Sequence, residues 1–311
     1  MADLRGRDLL SVSDLSSDEL LHILELTKTL KGERGHAKWK GALSGKTLAM
    51  LFMKPSTRTR VSFDVAMYEL GGHSITLSPS ETQLSRGETV SDTGSVLSRY
   101  VSGIMARVTS HSILIDLAQH SSVPVINGLS DLEHPCQAIT DVFTIWEKKG
   151  NLRGLMVAFI GDANNVANSL MLASLTLGAD FSIATPKGYE PRPEVLREVA
   201  RIAEKTNSSI ITTHDPAEAV KDADVIYTDV WASMGHEKEA EERMKAFYPK
   251  YQVNRNLLRS ASPDAIVLHC QPWHIGLEIA EDVAYGPQCV AFDQAENRLH
   301  IAKSLLVLIV Q

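Results

Sequence analysis

The chain reads as an α/β protein of two domains, each a parallel β-sheet flanked by helices. Three observations predict this. Short apolar runs of strand length alternate with helical runs from residue 47 onward, the order that builds right-handed βαβ units. That alternation occurs twice, in two series separated by one long helical segment. At 311 residues the chain has room for two proper cores.

The elements follow in order. "LSSDELLHILELTKTLKG" (15–32) has helical periodicity in Leu20, Ile23, Leu24 and Leu30. Ser16 with Glu19 three residues on makes a capping box, and Gly32 marks the stop. The first series places strands at TLAMLFM (47–53), SITL (74–77), GIMARV (103–108) and VPVIN (123–127), with helices over 58–70, 88–101 and 110–121. "HPCQAITDVFTIWEKKGNL" is a long connecting helix, which puts a domain boundary near residues 140 to 150. The second series places strands at LMVAFIGD (155–162), FSIATP (181–186), SIITTH (209–214), VIYTDVW (225–231) and AIVLHC (265–270). The last 20 or so residues form a terminal helix, apolar over much of its surface.

Composition narrows the class. Hydrophobic residues are 44% and charged residues 22%, ordinary for a globular chain. A net charge of -7 argues against nucleic-acid or membrane-surface binding, so any basic cluster is a local site. Cys136, Cys270 and Cys289 are too few for a disulfide framework, and reduced thiols are the expectation. "MADLRGRDLLSVSD" has no apolar signal core, and "SLLVLIV" is far too short to span a bilayer. A cytoplasmic location follows as an expectation.

In open parallel sheets ligands bind beyond the carboxyl ends of strands, and the polar clusters fall at such ends. "KPSTRTR" puts Ser56, Thr57, Arg58, Thr59 and Arg60 where a strand turns into a helix. Backbone N–H groups, the helix dipole and guanidinium forks suit an anion there, and a capped helix with solvated arginines is the plainer reading. Arg107 ends the strand GIMARV, either at an edge or pointed into a cleft. His134 and Gln137, three apart at a helix start, can face one ligand: an imidazole polarises a carbonyl and an amide reads an NH₂ group.

In the second series "FIGDANN" has only Gly161 where a dinucleotide turn needs three glycines, which weighs against NAD. Asn164 and Asn165 serve a turn or donate to a ligand carboxylate. Asp229 at a strand end can bind an ammonium group, and Ser233, Met234 and Gly235 follow it. His269, Cys270, Gln271 and Pro272 close the next strand. A metal reading has little support without C-x-x-C or H-E-x-x-H, so neither metal nor cofactor is expected. Arg298 near the start of the terminal helix reads locally as solvated.

Taken together and in this order, the segments STRTR, GIMARV, HPCQ, GD-x-NN, D-x-x-x-SMG and HC-x-P resemble the aspartate/ornithine carbamoyltransferases, and within them the ornithine enzymes. The similarity covers essentially the whole chain. STRTR and HP-x-Q fix only the superfamily; HPCQ with D-x-x-x-SMG is far more specific. The resemblance implies an active site in the cleft between two domains, a carbamoyl phosphate-binding domain (1–145 with the terminal helix, about 293–311) and an ornithine-binding domain (146–292). It implies transfer of a carbamoyl group from carbamoyl phosphate to the δ-amine of L-ornithine, giving L-citrulline in arginine metabolism.

Laid on matching positions, Ser56, Thr57, Arg58, Thr59 and Arg107 would bind the phosphate. Thr59, Arg107 and His134 would approach the carbamoyl oxygen and Gln137 its nitrogen, with Arg298 completing that environment. Asn165, Asp229, Ser233 and Met234 match ornithine contacts. Cys270 and Asp229 would flank the attacking amine, and Gln83, Cys270 and Gln271, the last through its carbonyl, would belong to the carbamoyl phosphate set as well. Arg58, Arg107, His134, Asp229 and Cys270 form the implied catalytic set. The family is trimeric, with trimers that can assemble further, and Gln83 matches a residue reaching a neighbour's site. In "HCQPWHIG" Gln271 stands where the family commonly has Leu, Trp273 where it has a small residue and Ile275 where it has Arg. A backbone carbonyl contact survives such changes, so they bear on the acceptor: putrescine, N-acetylornithine and aspartate are the alternatives. Aspartate would need cationic residues where this chain has Asp229. A sensor without catalysis would show damage in STRTR or HPCQ, and both are intact.

Overall fold

The computed structural model describes residues 3–231 and 240–311. The chain divides into two compact units, Met1–Thr140 with Glu296–Gln311, and Asp141–Ala295.

The first unit begins with α1 (Ser17–Gly32), whose capping box is formed: the Ser16 hydroxyl accepts the Glu19 N–H and the Glu19 carboxylate accepts the Ser16 N–H. There follow β1 (Thr47–Phe52), α2 (Thr57–Glu69), β2 (His73–Leu77), α3 (Val90–Leu97), β3 (Gly103–Arg107), α4 (His111–His120), β4 (Val125–Leu129) and α5 (Pro135–Lys149). α3 is shorter than the 88–101 read from the sequence. Thr89 caps its start, and beyond Leu97 the backbone N–H groups of Arg99 and Tyr100 take turn bonds to Val96 and Leu97. The sheet runs β2-β1-β3-β4, all parallel. β3 is buried along its whole length, which is why parallel strands read as unbroken apolar runs rather than alternations.

The second unit holds β5 (Met156–Ile160), α6 (Asn165–Thr176), β6 (Asp180–Ala184), α7 (Pro193–Thr206), β7 (Ile210–Thr213), α8 (Pro216–Ala219), β8 (Val225–Thr228), α9 (Ala240–Phe247), α10 (Arg255–Leu258), β9 (Ile266–His269), α11 (Glu281–Ala284) and the start of α12 (Ala291–Ile309), which from Glu296 onward belongs to the first unit. Its strands, again parallel, run β7-β6-β5-β8-β9. Ile160, Ile226, Val267 and Phe247 belong to one buried cluster of this unit, and Leu51, Ile104 and Val125 to one of the first. Each such side chain stabilises its unit by about 1.5–3 kcal/mol through burial.

Strand order fixes where sites can form. Chain direction across the sheet reverses between β1 and β3 in one unit and between β5 and β8 in the other. Crossovers leave a crevice at the carboxyl ends of strands at such a reversal. The residues there are Pro55–Arg58 and Arg107 in the first unit, and Asp162–Asn165 and Asp229 in the second.

Candidate active site

In the first unit Ser56 caps α2: its hydroxyl accepts the Thr59 N–H at 3.2 Å. The capped-helix reading of STRTR is therefore correct as local structure, and it leaves the helix N-terminus facing the crevice. Thr57 and Arg60 are exposed, Arg58 half-buried and Thr59 buried. Arg107 is placed by a bulge. Ala106 pairs with Asn127 and Arg107 with Leu129, so Gly128 is the extra residue. A Cβ at Gly128 would lie 2.4 Å from the Met105 sulfur and 3.2 Å from the Ala106 carbonyl oxygen, so any side chain there would force Met105 to move.

The loop before α5 is held from below: Glu133 accepts the Ser11 hydroxyl and, at 3.0 Å, the Val12 N–H, and the Glu133 N–H reaches the Ser130 hydroxyl at 3.1 Å. His134 and Gln137 then meet at Arg298 of α12. Arg298 is not solvated: it is only 5% exposed. Its Nη1 donates to Gln137 Oε1 and, at 3.3 Å, to His134 Nε2, and its Nη2 donates to Thr59 Oγ1 at 2.9 Å. With Nε2 accepting, the neutral ring carries its proton on Nδ1. Burial, and then the positive charges of Arg298, Arg107 and Arg58, hold the His134 imidazolium well below its ordinary pKa. Three guanidinium groups thus bear on one neutral imidazole. Such a cluster can take an anion and offer uncharged donors beside it.

In the second unit the carboxylate of Asp229 is buried and gripped from two sides. Oδ1 accepts the Cys270 S–H at 3.1 Å, and Oδ2 accepts the Asn164 amide at 2.8 Å. The same Asn164 caps α6, its Oδ1 accepting the N–H groups of Val166 at 2.9 Å and Ala167 at 3.1 Å. Asn165 is the first residue of that helix. Asp162 precedes them and binds Arg243 Nη1 at 2.6 Å, and that Nη1 also meets the Trp231 carbonyl at 2.8 Å. Loss of solvation, and then the Asp229 charge, push the Cys270 thiol well above its usual pKa. Cys270 is therefore a hydrogen-bond donor here and not a thiolate nucleophile.

Ligand atoms of Asp229, His269 and Cys270 lie within 4.8 Å of one another. The donor set nevertheless fits a metal poorly. His269 Nδ1 accepts the Gln271 N–H at 2.8 Å and Nε2 meets Glu278 Oε1 at 3.2 Å, so both ring nitrogens are already engaged. Gln271 itself adopts a left-handed φ of 57°.

Among the residues expected from the sequence, Thr59, His134, Gln137 and Arg298 meet directly, with Arg58 and Arg107 close enough to act on His134. Asp229 and Cys270 likewise meet. Gln83 opens a 3-10 turn, Gln83–Arg86, and is exposed. Ser233 and Met234 lie outside the described residues. Asn164 was legible as a turn former, but its grip on Asp229 depends on a residue 65 positions away.

A family model described as the carbamoyl-P binding domain of aspartate/ornithine carbamoyltransferase matches residues 7–147, and the Asp/Orn binding domain of the same family matches 153–309. The chain is 55% identical to the ornithine carbamoyltransferase of Pyrococcus abyssi over 99% of this chain and 97% of that one. It is 54% identical to the anabolic ornithine carbamoyltransferase of Pyrococcus furiosus over 99% and 98%. The solved P. furiosus structure matches with a TM-score of 0.96 over 100% of this chain and 99% of that one, at 54% identity. That of the Thermus thermophilus enzyme matches at 0.87 and 42% identity, over 98% and 99%. The chain belongs to the aspartate/ornithine carbamoyltransferase family.

Proposed function

We propose that this chain transfers the carbamoyl group of carbamoyl phosphate to the δ-amine of L-ornithine, giving L-citrulline and phosphate. The observation that carries the acceptor is Asp229, a buried carboxylate held by a thiol and an amide. An amino group is drawn to it, whereas an aspartate acceptor would be repelled. The donor is bound in the first unit. The α2 N-terminus with Ser56, Thr57, Arg58 and Thr59, joined by Arg107, takes the phosphate. His134, Thr59 and Arg107 bear on the carbamoyl oxygen, Gln137 on its nitrogen, and Arg298 holds that set together. In the second unit Asn165, Asp229, Ser233 and Met234 take ornithine, Cys270 stands beside the amine and the Gln271 carbonyl meets the carbamoyl group.

The chemistry needs a neutral amine, although such an amine has a pKa of about 10.4 in water and is mostly protonated at neutral pH. Nitrogen forms the new bond to the carbamoyl carbon, the phosphate leaves with the electron pair of the C–O bond, and the proton given up by nitrogen ends on that phosphate. Charge grows on the carbamoyl oxygen as the tetrahedral centre forms, then on the leaving phosphate. Arginines and the neutral His134 N–H stabilise both without moving, and holding the two substrates together supplies the remainder.

The reading extends to arginine biosynthesis, supported by the anabolic name of the P. furiosus relative. It extends also to a cytoplasmic homotrimer in which the exposed Gln83 serves a neighbouring subunit. No helix among the described residues is long and apolar enough to cross a membrane. The test offers carbamoyl phosphate with ornithine, putrescine, N-acetylornithine and aspartate in parallel and scores each carbamoylated product. Preference for any acceptor other than ornithine overturns the assignment.

A further inference from the structure

Behind Asp229 lies a second buried polar cluster that the roles above do not use. Gln294, in the first turn of α12, is 1% exposed. Its Nε2 donates to Asp141 Oδ1 at 2.6 Å and to the Tyr227 hydroxyl at 3.0 Å, while its Oε1 accepts the His269 N–H at 3.0 Å. Tyr227 is fully buried and stacks on Phe159, with ring centroids 5.5 Å apart and an interplanar angle of 15°.

Tyr227 stands two residues before Asp229, and His269 one before Cys270. The β8–β9 ladder ends at the pair Thr228 and His269. Beyond that pair no ladder bond sets the spacing of Asp229 and Cys270, yet a thiol donor is weak and its geometry must be held. The Gln294 amide links Tyr227 of β8 to His269 of β9 at the last two pairs of that ladder, just before Asp229 and Cys270, with its two N–H groups and its oxygen all engaged.

We propose that Gln294 and Tyr227 are positioning residues for the amine acceptor, holding the ends of β8 and β9 at the spacing where the Cys270 S–H meets Asp229. This rests on the carbamoyl-transfer reading. It concerns residues to which the roles above give no substrate contact, and it makes their effect fall on ornithine.

The test compares the unaltered chain with Tyr227→Phe, Gln294→Met and the double variant, varying each substrate in citrulline formation. Each single variant is expected to lose about tenfold in kcat/KM for ornithine, the scale of one buried hydrogen bond, while the carbamoyl phosphate KM stays within about twofold. The double variant should be no worse than the worse single one, because both act through one network. Tyr227→Phe keeps the ring and its stacking on Phe159, so it carries the test even where Gln294→Met does not fold. Equal losses for both substrates, or additive losses, overturn the proposal in favour of a general structural role. An active unaltered chain with an unimpaired Tyr227→Phe also overturns it, and leaves the functional reading standing. No citrulline from the unaltered chain overturns that reading, and this inference with it.

Discussion

Arg298 Nη2 donates to Thr59 Oγ1 at 2.9 Å although the two residues are 239 positions apart in sequence. The same guanidinium holds Gln137 and His134, so one side chain sets the geometry of three others. Arg298→Lys keeps the charge and removes the planar fork that reaches them. Turnover at limiting carbamoyl phosphate should fall about 100-fold or more, since preorganised donors are worth roughly 10²–10³ in rate. Citrulline formation with carbamoyl phosphate varied measures it, and a loss under tenfold would show that the fork is dispensable.

Arg58 is half-buried at the start of α2, and its charge reaches His134. Arg58→Gly should abolish turnover while the melting temperature stays close to that of the unaltered chain. The expected loss of transition-state stabilisation is about 2.7–4 kcal/mol. Near-normal turnover would refute the placement of the phosphate.

Asp229→Ala removes the buried carboxylate and leaves the Cys270 S–H and Asn164 amide without their acceptor. The ornithine KM should rise or kcat fall, with carbamoyl phosphate affinity nearly unchanged. Titration of carbamoyl phosphate into the variant checks this, and a collapse of that affinity would break the division of labour between the units.

The Cys270 thiol is raised well above its ordinary value by loss of solvation and by Asp229. At pH 8 it should therefore react with iodoacetamide far more slowly than a free cysteine. Asp229→Asn removes the negative charge, so the thiol pKa should drop and the rate at pH 8 should rise. Mass spectrometry of the Cys270 peptide follows both rates; identical rates would show that Asp229 does not control the thiol.

His134 is held neutral by burial and three arginines. The folded state disfavours the imidazolium, so on acidification the unfolded chain binds the proton first. Its contribution to stability is therefore full above about pH 6.5 and declines as the pH falls below that value. Thermal melts of the unaltered chain and His134→Gln between pH 7 and 5 measure the difference. The unaltered chain should lose more, and parallel curves would contradict the depressed pKa.

Sequence alone determined the order of strands and helices, the capping box at Ser16 and the placement of polar residues at strand ends. These follow from local periodicity and backbone chemistry, which neighbours in sequence settle between themselves. The strand order, and with it the position of each crevice, depends on pairing across the sheet. Arg298 shows the limit most plainly. By itself it sits about two turns into the terminal helix, where exposure of an arginine is the default. Its burial is decided by Thr59, His134 and Gln137, which offer acceptors from two other helices of its unit. Asn164 is likewise legible as a cap, and Asp229 as a strand-end carboxylate, but their bond is not. Gln294 carries no local signal at all. A buried charge or amide is tolerated only where partners satisfy it, and those partners are brought together by tertiary folding.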